Sequence, residues 1–541
     1  MPRLVLLQPP IEDFYDTDIR LQPIGLCALK SAVLQHHPDM EVLVLDFHKG
    51  HGRATIPLPR ELRYLKDYYG HPDAGPFRTF HQYFRFGADY DTIGRTVAEL
   101  APDLVGISFL FTPYYREGLH AAEAIRAGSG AAIIAGGSHV SADPLSILSH
   151  PAIDFVIRGE GERPLVSFLE AWKEGRDFQT VPNLGWKEND QYRLNDPEEN
   201  FPLDDLPMPD MSDLPPDRYA YEGKPVAMLL STRGCPHRCS FCSVHTTFGH
   251  YRRRSNRAIL QEMRARWEEG YRVFDFEDDN LTFDREAIRD LCRAIIREFR
   301  GKEVELLAMN GVSYRRLDHE TLLLMRQAGF SHLNLALVSA DPAVLASVRR
   351  PHPVEDFPRV VADAFSLGYE ILAHQILGLP DESVESMCDT LVLLARLPVL
   401  IGVSVFYLTP GAPIAAGFPA MTEHDFFLAR STAMAITSAA CSRDSLYTLF
   451  LSARIINFLK GLRLTAEKTP LAEVLTMVPP DERTGQGFEL LHRLFAEGTL
   501  YAATRQGFKR LPRFDINIFL QCWNRLDGIR TQEGKWIEVR I

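Results

Sequence analysis

The chain has 541 residues, a net charge of −12 and 36 each of glycine and proline, which excludes collagen-like and disordered chains. Hydrophobic residues make up 45% and charged residues 24%, so at about 150 residues per domain there is material for roughly three domains, each with its own core. The acidic balance disfavours nucleic acid as a partner, because such binding neutralises phosphate, and eight cysteines are too sparse for a disulfide framework.

The N-terminal apolar run is too short for a signal peptide. The most membrane-like stretch, Leu391 to Leu408, is interrupted by Arg396 and Pro398. A cytoplasmic location without an integral membrane segment is the expectation, and thiols stay reduced there. From the N-terminus, strands at Leu4–Gln8, Val42–Leu45, Leu104–Phe109, Ala132–Ala135 and Phe155–Ile157 alternate with helices at 24–34, 90–100 and 116–127. Such alternation predicts an α/β domain over 1–165, a doubly wound, Rossmann-like parallel sheet that binds ligands at the carboxyl ends of its strands. Those ends carry Pro9-Pro10, Ser108, Gly136-Gly137-Ser138-His139 and Gly159-Glu160-Gly161, where glycines permit close backbone approach to a ligand. No Gly-x-Gly-x-x-Gly follows the first strand, which argues against a nicotinamide dinucleotide.

Residues 64–90 interrupt this domain with nine aromatics, read either as the wall of an apolar cavity or as a satellite core. Residues 166–220, rich in Pro, Asp and Asn, read as a linker. A second series over 221–412 offers strands at Val226–Ser231, Val273–Glu277, Val304–Ala308, His332–Leu337, Glu370–Gln375 and Val403–Leu408, separated by helical patterns. Six units over about 190 residues fit a partial (β/α)6 TIM-type barrel, with active-site residues at the carboxyl ends of the strands. Residues 413–541 read as a mainly helical C-terminal domain.

Three of the eight cysteines stand together in Ser231-Thr-Arg-Gly-Cys235-Pro-His-Arg-Cys239-Ser-Phe-Cys242. Three thiolates in a tight loop can hold three irons of a 4Fe–4S cluster and leave the fourth open. His245 offers a Cys3His zinc site as the alternative. Cys27, Cys292, Cys388, Cys441 and Cys522 lie on helical patterns as small hydrophobes. The run Arg252-Arg253-Arg254 either meets an anionic substrate group or faces solvent.

The cysteine spacing, the aromatic residue before the last cysteine and the position after the first barrel strand resemble the radical S-adenosylmethionine superfamily, over about residues 225–410. The resemblance implies Cys235, Cys239 and Cys242 as cluster ligands and S-adenosylmethionine chelated to the open iron. One-electron cleavage then yields a 5′-deoxyadenosyl radical. It further implies S-adenosylmethionine contacts from Phe241, Asp278, Asn310, Ser339, Gln375 and Gly378. One departure is that Val338-Ser339 stands where many relatives have Glu-Ser, which removes a carboxylate from that side of the site.

The N-terminal loops resemble the cobalamin-binding domain that precedes the barrel in class B members. This implies cobalamin contacts from Pro9, Pro10, Ser108, Gly136, Gly137, His139, Gly159, Glu160 and Gly161. Asp46-Phe-His48-Lys-Gly50-His51 is superficially similar to the Asp-x-His-x-x-Gly motif but lacks its glycine and follows the second strand. A base-off cobalamin without a histidine ligand is the implication. The whole arrangement implies a cobalamin-dependent radical enzyme that methylates an unactivated carbon. A ring-forming or ring-rearranging enzyme is the second reading, and a non-catalytic cobalamin carrier or sensor the third. Implied partners are a small-molecule, lipid or peptide substrate and an external one-electron reductant such as flavodoxin or ferredoxin.

Overall fold

The computed structural model describes residues 2–17, 22–175, 177–189, 191–198 and 201–539. Its N-terminal sheet has five parallel strands: β1 (Arg3–Gln8), β2 (Glu41–Asp46), β3 (Leu104–Ser108), β4 (Ala132–Gly136) and β5 (Phe155–Ile157), in the order β2-β1-β3-β4-β5. Strands β1, β3 and β4 are nearly continuous apolar runs because helices cover both faces, whereas the edge strand β2 alternates. The helices are α1 (Ile24–His36), α2 (Tyr90–Leu100) and α3 (Tyr115–Gly128). Strand order reverses between β1 and β3, which puts the ligand crevice beyond Pro9-Pro10 and Ser108. A short helix α4 (Ser138–Ala142) follows β4 at this edge.

Much of the stretch read as a linker completes this domain. Helix α5 (Glu162–Glu174) is followed by β6 (Leu184–Glu188) and β7 (Gln191–Leu194), which extend the sheet antiparallel from β5. Buried Leu184 and Trp186 anchor β6, a signal too short to stand out in a polar, proline-rich stretch. The remaining connector wraps over α1, where buried Lys30 Nζ donates to Asp213 Oδ2 at 2.7 Å.

The barrel strands are β8 (Lys224–Leu229), β9 (Val273–Phe276), β10 (Glu305–Leu307), β11 (His332–Val338), β12 (Glu370–Leu377) and β13 (Leu400–Val405). Two isolated bridges, Leu306↔Phe330 and Val312↔Leu335, join the β8–β10 and β11–β13 sheets into one parallel wall. The helices are α6 (Val244–Thr247), α7 (Asn256–Glu268), α8 (Arg285–Glu298), α9 (His319–Ala328), α10 (Asp356–Ser366) and α11 (Val384–Ala395). The last strand starts three residues earlier than expected, since pairing of Leu372 with Leu400 sets its register.

The C-terminal region is built on α12 (Arg443–Lys460), α13 (Glu482–Glu497) and α14 (Ile516–Trp523). It also carries a hairpin (Tyr501–Thr504 with Gly507–Arg510) and a small sheet that the helical reading missed. The aromatic insert is a satellite core against α12: Tyr68 meets Tyr447, Phe77 meets Phe458 and Phe80 meets Phe450, with ring centroids 5.2, 5.4 and 6.3 Å apart. Arg430 crosses the same junction and, wholly buried, donates to Asp13 Oδ2 at 3.3 Å and to the Glu12 carbonyl at 2.8 Å. Among the described residues no helix is long and apolar enough to cross a membrane.

Glu117 on α3 lies beside this junction, 2% exposed, with Oε1 accepting from Glu12 N at 3.2 Å and Oε2 unpartnered. Burial first, and the Glu12 carboxylate second, push its pKa up to about 8. A folded pKa above the unfolded value means that the stability it contributes is full below about pH 4.3 and is lost as pH rises toward 8, at up to roughly 1.4 kcal/mol per unit. Thermal melting across pH 5–9 is expected to show this decline, and Glu117→Gln to flatten it. An unchanged slope in the variant would refute the assignment.

Candidate functional site

Beyond β8 the chain turns through Ser231-Thr232-Arg233 into the cysteine loop, and buried Asp278 at the end of β9 holds that turn. Its carboxylate accepts from Ser231 N at 3.1 Å and Ser231 Oγ at 2.6 Å, and from the Thr232 hydroxyl. Asp279 Oδ2 accepts from Gly234 N at 2.9 Å, and Asn280 Nδ2 donates to Cys235 Sγ at 3.4 Å. Gly234 has φ +79°, and a Cβ there would stand 2.7 Å from the His250 carbonyl oxygen, so only glycine fits before Cys235. On the far side Ser240 N donates to the Val348 carbonyl at 2.9 Å, and the Arg350 guanidinium, bonded to the Ala336 carbonyl, lies near enough to Cys239 to act on its thiol by charge against the larger effect of burial.

The three thiols are close enough to act on one another's charge, and burial first pushes Cys242 up to about 11. Among the described residues no three His, Cys, Asp or Glu side chains converge on a single ion. His245 Nε2 lies 2.7 Å from the His237 carbonyl oxygen, while its buried Nδ1 has no partner among the described residues. Three thiols on one short loop, with the Asn280 amide on Cys235 Sγ, are a donor set that fits three corners of a four-iron cluster. Asp279, Asn280 and Arg350 stand outside the expected site residues: the first two directly follow Asp278 beyond β9, whereas nothing in the sequence places Arg350 beside Cys239.

The expected S-adenosylmethionine contacts divide. Phe241 and Ile376 pack against Val338, Leu379, Phe406 and Leu408, which brings Phe241, the end of β11 and the Gly378 loop together at the barrel mouth. Asn310 Nδ2 donates to the Asp278 carbonyl at 3.2 Å. Gln375 is turned away: its Nε2 donates to the Met387 carbonyl on α11 at 3.0 Å, because alternation puts His374 on the inner face and Gln375 on the outer. Val338, where relatives have Glu, sits at a bulge with φ +77°, a strained conformation for a β-branched residue. A carboxyl still reaches this strand end from the next loop, since Ser339 Oγ donates to Glu382 Oε1 at 2.9 Å. Glu382 is buried, with Oε2 unpartnered, and burial pushes it up to about 7.

At the edge of the N-terminal sheet, Gly137 has φ +117°, and a Cβ there would lie 2.6 Å from the Phe109 carbonyl oxygen. Ser108, Gly136 and Gly159 line the same edge half-buried, with Phe111 exposed nearby. Pro9 and Pro10 are buried, the latter beneath Gly87. The His139 ring packs between Tyr115 and Phe426, at 5.7 and 5.2 Å, and burial holds it neutral by pushing its pKa down to about 4. It therefore faces the C-terminal region. His48 is also buried, with Nδ1 3.2 Å from the Phe86 carbonyl oxygen, which gives it a structural role.

The Gly159-Glu160-Gly161 loop reaches across to the barrel. Glu160 Oε2 accepts from Arg233 at 2.7 Å and Glu162 Oε1 from Arg233 at 2.5 Å, while Glu160 Oε1 takes Arg252. Arg254 is paired with Glu262 at 2.6 Å and Arg253 with Asn256. The arginine run is thus neither solvated nor free for substrate. With both acidic side chains engaged in ion pairs, the strand ends offer mainly glycine backbone, which fits close approach by a macrocycle such as the corrin. Helix α4 packs directly on α6, which follows Cys242. Gly411 permits the approach, since a Cβ there would stand 2.4 Å from Thr246 Cγ2. The two strand-end faces therefore meet at this contact.

Comparison with known proteins matches residues 229–394 to the Radical SAM superfamily and residues 80–169 to the B12 binding domain. The uncharacterized methyltransferase PH0819 of Pyrococcus horikoshii is 27% identical over 314 residues, 57% of this chain and 68% of that one. The cytidylyl-2-hydroxyethylphosphonate methyltransferase of Streptomyces wedmorensis is 29% identical over 429 residues, covering 71% and 75%. The anaerobic magnesium-protoporphyrin IX monomethyl ester cyclase of Rubrivivax gelatinosus is 26% identical over 315 residues, covering 56% and 55%. In fold, the chain is similar to the radical S-adenosylmethionine methyltransferase TsrM of Kitasatospora setae, solved with cobalamin and a 4Fe-4S cluster. The TM-score is 0.58 at 20% identity, over 76% of this chain and 74% of that one.

Proposed function

The chain belongs to the class B radical S-adenosylmethionine enzymes, which join a B12 binding domain to a radical S-adenosylmethionine domain, and from this we propose that it methylates an unactivated carbon. Its cofactors are a 4Fe–4S cluster, S-adenosylmethionine and cobalamin, which when bound supply a hydrogen-abstracting radical and a transferable methyl group. Cys235, Cys239 and Cys242 would hold the cluster, with Asn280 and Arg350 on the sulfurs of Cys235 and Cys239. Phe241 and the Gly378 loop would flank S-adenosylmethionine at the barrel mouth. Gly136, Gly137 and the Gly159 loop would floor the cobalamin.

The observation that carries this reading is the packing of α4 on α6, pinned by Arg233 between Glu160 and Glu162. Methyl transfer needs the donor and the activated carbon in contact with water excluded, and this junction brings the two faces together. The names of two curated relatives, both methyltransferases, support it, while the cyclase relative favours the ring-forming reading as the second. The substrate would be a small molecule, lipid or peptide, and a one-electron donor such as flavodoxin or ferredoxin would reduce the cluster in a reducing, cytoplasmic setting.

The test is turnover of methyl-labelled S-adenosylmethionine by the reconstituted, reduced enzyme in an extract of its host. Labelled product together with S-adenosylhomocysteine and 5′-deoxyadenosine is expected. 5′-Deoxyadenosine without a labelled product would select the ring-forming reading, and the absence of both would reject the methyltransferase.

A further inference from the structure

The last barrel strand, β13, is an edge strand flanked by α12. Asn457 on α12 receives Ile401 N at 2.9 Å and donates to the Ile401 carbonyl at 2.8 Å. Beside this bridge lies a cavity of about 350 Å³ lined by Ile401, Val403, Phe450, Phe458, Arg454 and Arg483. Ile401 and Val403 pair with Ala373 and Gln375, and Gln375 points to the helix layer, so the cavity lies on the outer flank of the barrel. It is separate from the cluster site. Pro76 of the aromatic insert joins its lining.

Arg454 is the anomaly. It is half-buried, and among the described residues no acceptor lies within hydrogen-bond or ion-pair distance of its guanidinium. It lies over the Phe450 ring, 5.0 Å from the centroid. Burial first, and then the charge of Arg78, hold its pKa below the ordinary value. The carboxylates in its surroundings are committed elsewhere: Asp16 to Arg78 at 3.2 Å, and Asp73 to Gly75 N and Ala503 N at 2.8 and 2.9 Å. The Asn457 amide is spent on Ile401. Arg483, exposed at the cavity mouth, also has no acceptor among the described residues. A cation withdrawn from water without a partner is unfavourable until something neutralises it. A guanidinium above aromatic and aliphatic walls matches a carboxylate or phosphate head on an apolar body.

We propose that this flank cavity binds an organic anion, a carboxylate or a phosphate monoester carried on an apolar chain or ring, at a site independent of the cluster. Arg454 holds the head group from the wall, Arg483 closes on it from the mouth, and Phe450, Phe458, Ile401 and Val403 take the apolar body. Occupancy ties together the barrel edge, the aromatic insert and the C-terminal region, so it raises the melting temperature without touching the reacting centre.

Calorimetric titration and thermal melting of the full-length reconstituted enzyme with hexanoate, hexyl phosphate, hexanol and inorganic phosphate test this. At least one amphiphilic anion is expected to bind about tenfold or more tighter than hexanol or inorganic phosphate, and the better of the two identifies the head group. Arg454→Met should weaken that binding by about tenfold or more and Arg454→Lys by less, with iron content and 5′-deoxyadenosine formation unchanged. Arg483→Gln, on an exposed side chain with no acceptor among the described residues, should weaken it by a smaller factor and serves if Arg454→Met does not fold. Binding of neither anion, binding unaltered in the folded arginine variants, or inorganic phosphate as tight as hexyl phosphate would each overturn the proposal.

Discussion

Replacing Cys235, Cys239 or Cys242 by alanine is expected to abolish both the iron–sulfur absorbance and cleavage of S-adenosylmethionine. Each thiol supplies one corner of the cluster, and the loop offers no substitute. Imidazoles such as His237 and His245 are poorer ligands to such a cluster than thiolate, and the five remaining cysteines are buried elsewhere. Iron should therefore fall from about four per chain toward zero in each variant. Folding should survive, because the loop is held without its sulfurs by Asp278 on Ser231, Asp279 on Gly234 and Ser240 on Val348. Iron determination, electron paramagnetic resonance of the reduced protein and 5′-deoxyadenosine formation are the measurements. A single-alanine variant that retained cleavage would remove that cysteine from the ligand set. By contrast, Asn280→Ala removes only a hydrogen bond to Cys235 Sγ and should retain the cluster.

Arg233→Met is expected to be the most destabilising single change at the junction between the two domains. The Arg233 side chain is 11% exposed, and those of Glu160 and Glu162 are 9% and 6% exposed. Losing the guanidinium leaves Glu162 as an uncompensated buried carboxylate, which costs about 3–5 kcal/mol. In the native protein Arg233 holds the Glu162 carboxyl below the ordinary range against the opposing effect of burial. The stabilisation from a depressed carboxyl is present above its unfolded pKa and is lost as pH falls through the folded one, so wild-type melting should decline on acidification and the variant should show less of that decline. Adding Glu162→Gln to Arg233→Met should recover part of the loss, since removing both charges leaves fewer unpaired groups. The functional consequence follows from position: Arg233 lies two residues before Cys235, and both glutamates lie at the cobalamin-side loop. A misalignment of about 1 Å between reacting groups costs about a hundredfold in rate. The ratio of methylated product to 5′-deoxyadenosine should fall accordingly, while 5′-deoxyadenosine formation itself persists. A variant with wild-type melting and an unchanged product ratio would show that the clamp is dispensable.

Most elements of the two α/β units were legible in the chain, because strands covered on both faces must be apolar runs and the helices between them must be amphipathic. Tyr90–Leu100 and Phe155–Ile157 fall where the pattern places them. The misses share a cause, which is pairing between segments distant in sequence. Strands β6 and β7 are strands because β5 offers an edge to Trp186, and β13 starts at Leu400 because Leu372 lies opposite. Short spacing also made the cysteine loop readable, since ligands three and four residues apart must share a site.

What spacing could not supply was direction. His139, Glu160 and Gln375 were read as facing cofactors from their places at strand ends. The fold turns the first toward Phe426, the second onto Arg233 and Arg252, and the third toward Met387. Arg350 reaches Cys239 from more than a hundred residues downstream. By itself the sequence determined which residue types carry the chemistry and in which layers they lie, because composition, period and spacing are local properties of the chain. Which of those side chains meet across the domain junction, and which are spent holding it closed, was decided only by tertiary packing, since a buried charge or ring takes whatever partner the fold brings to it.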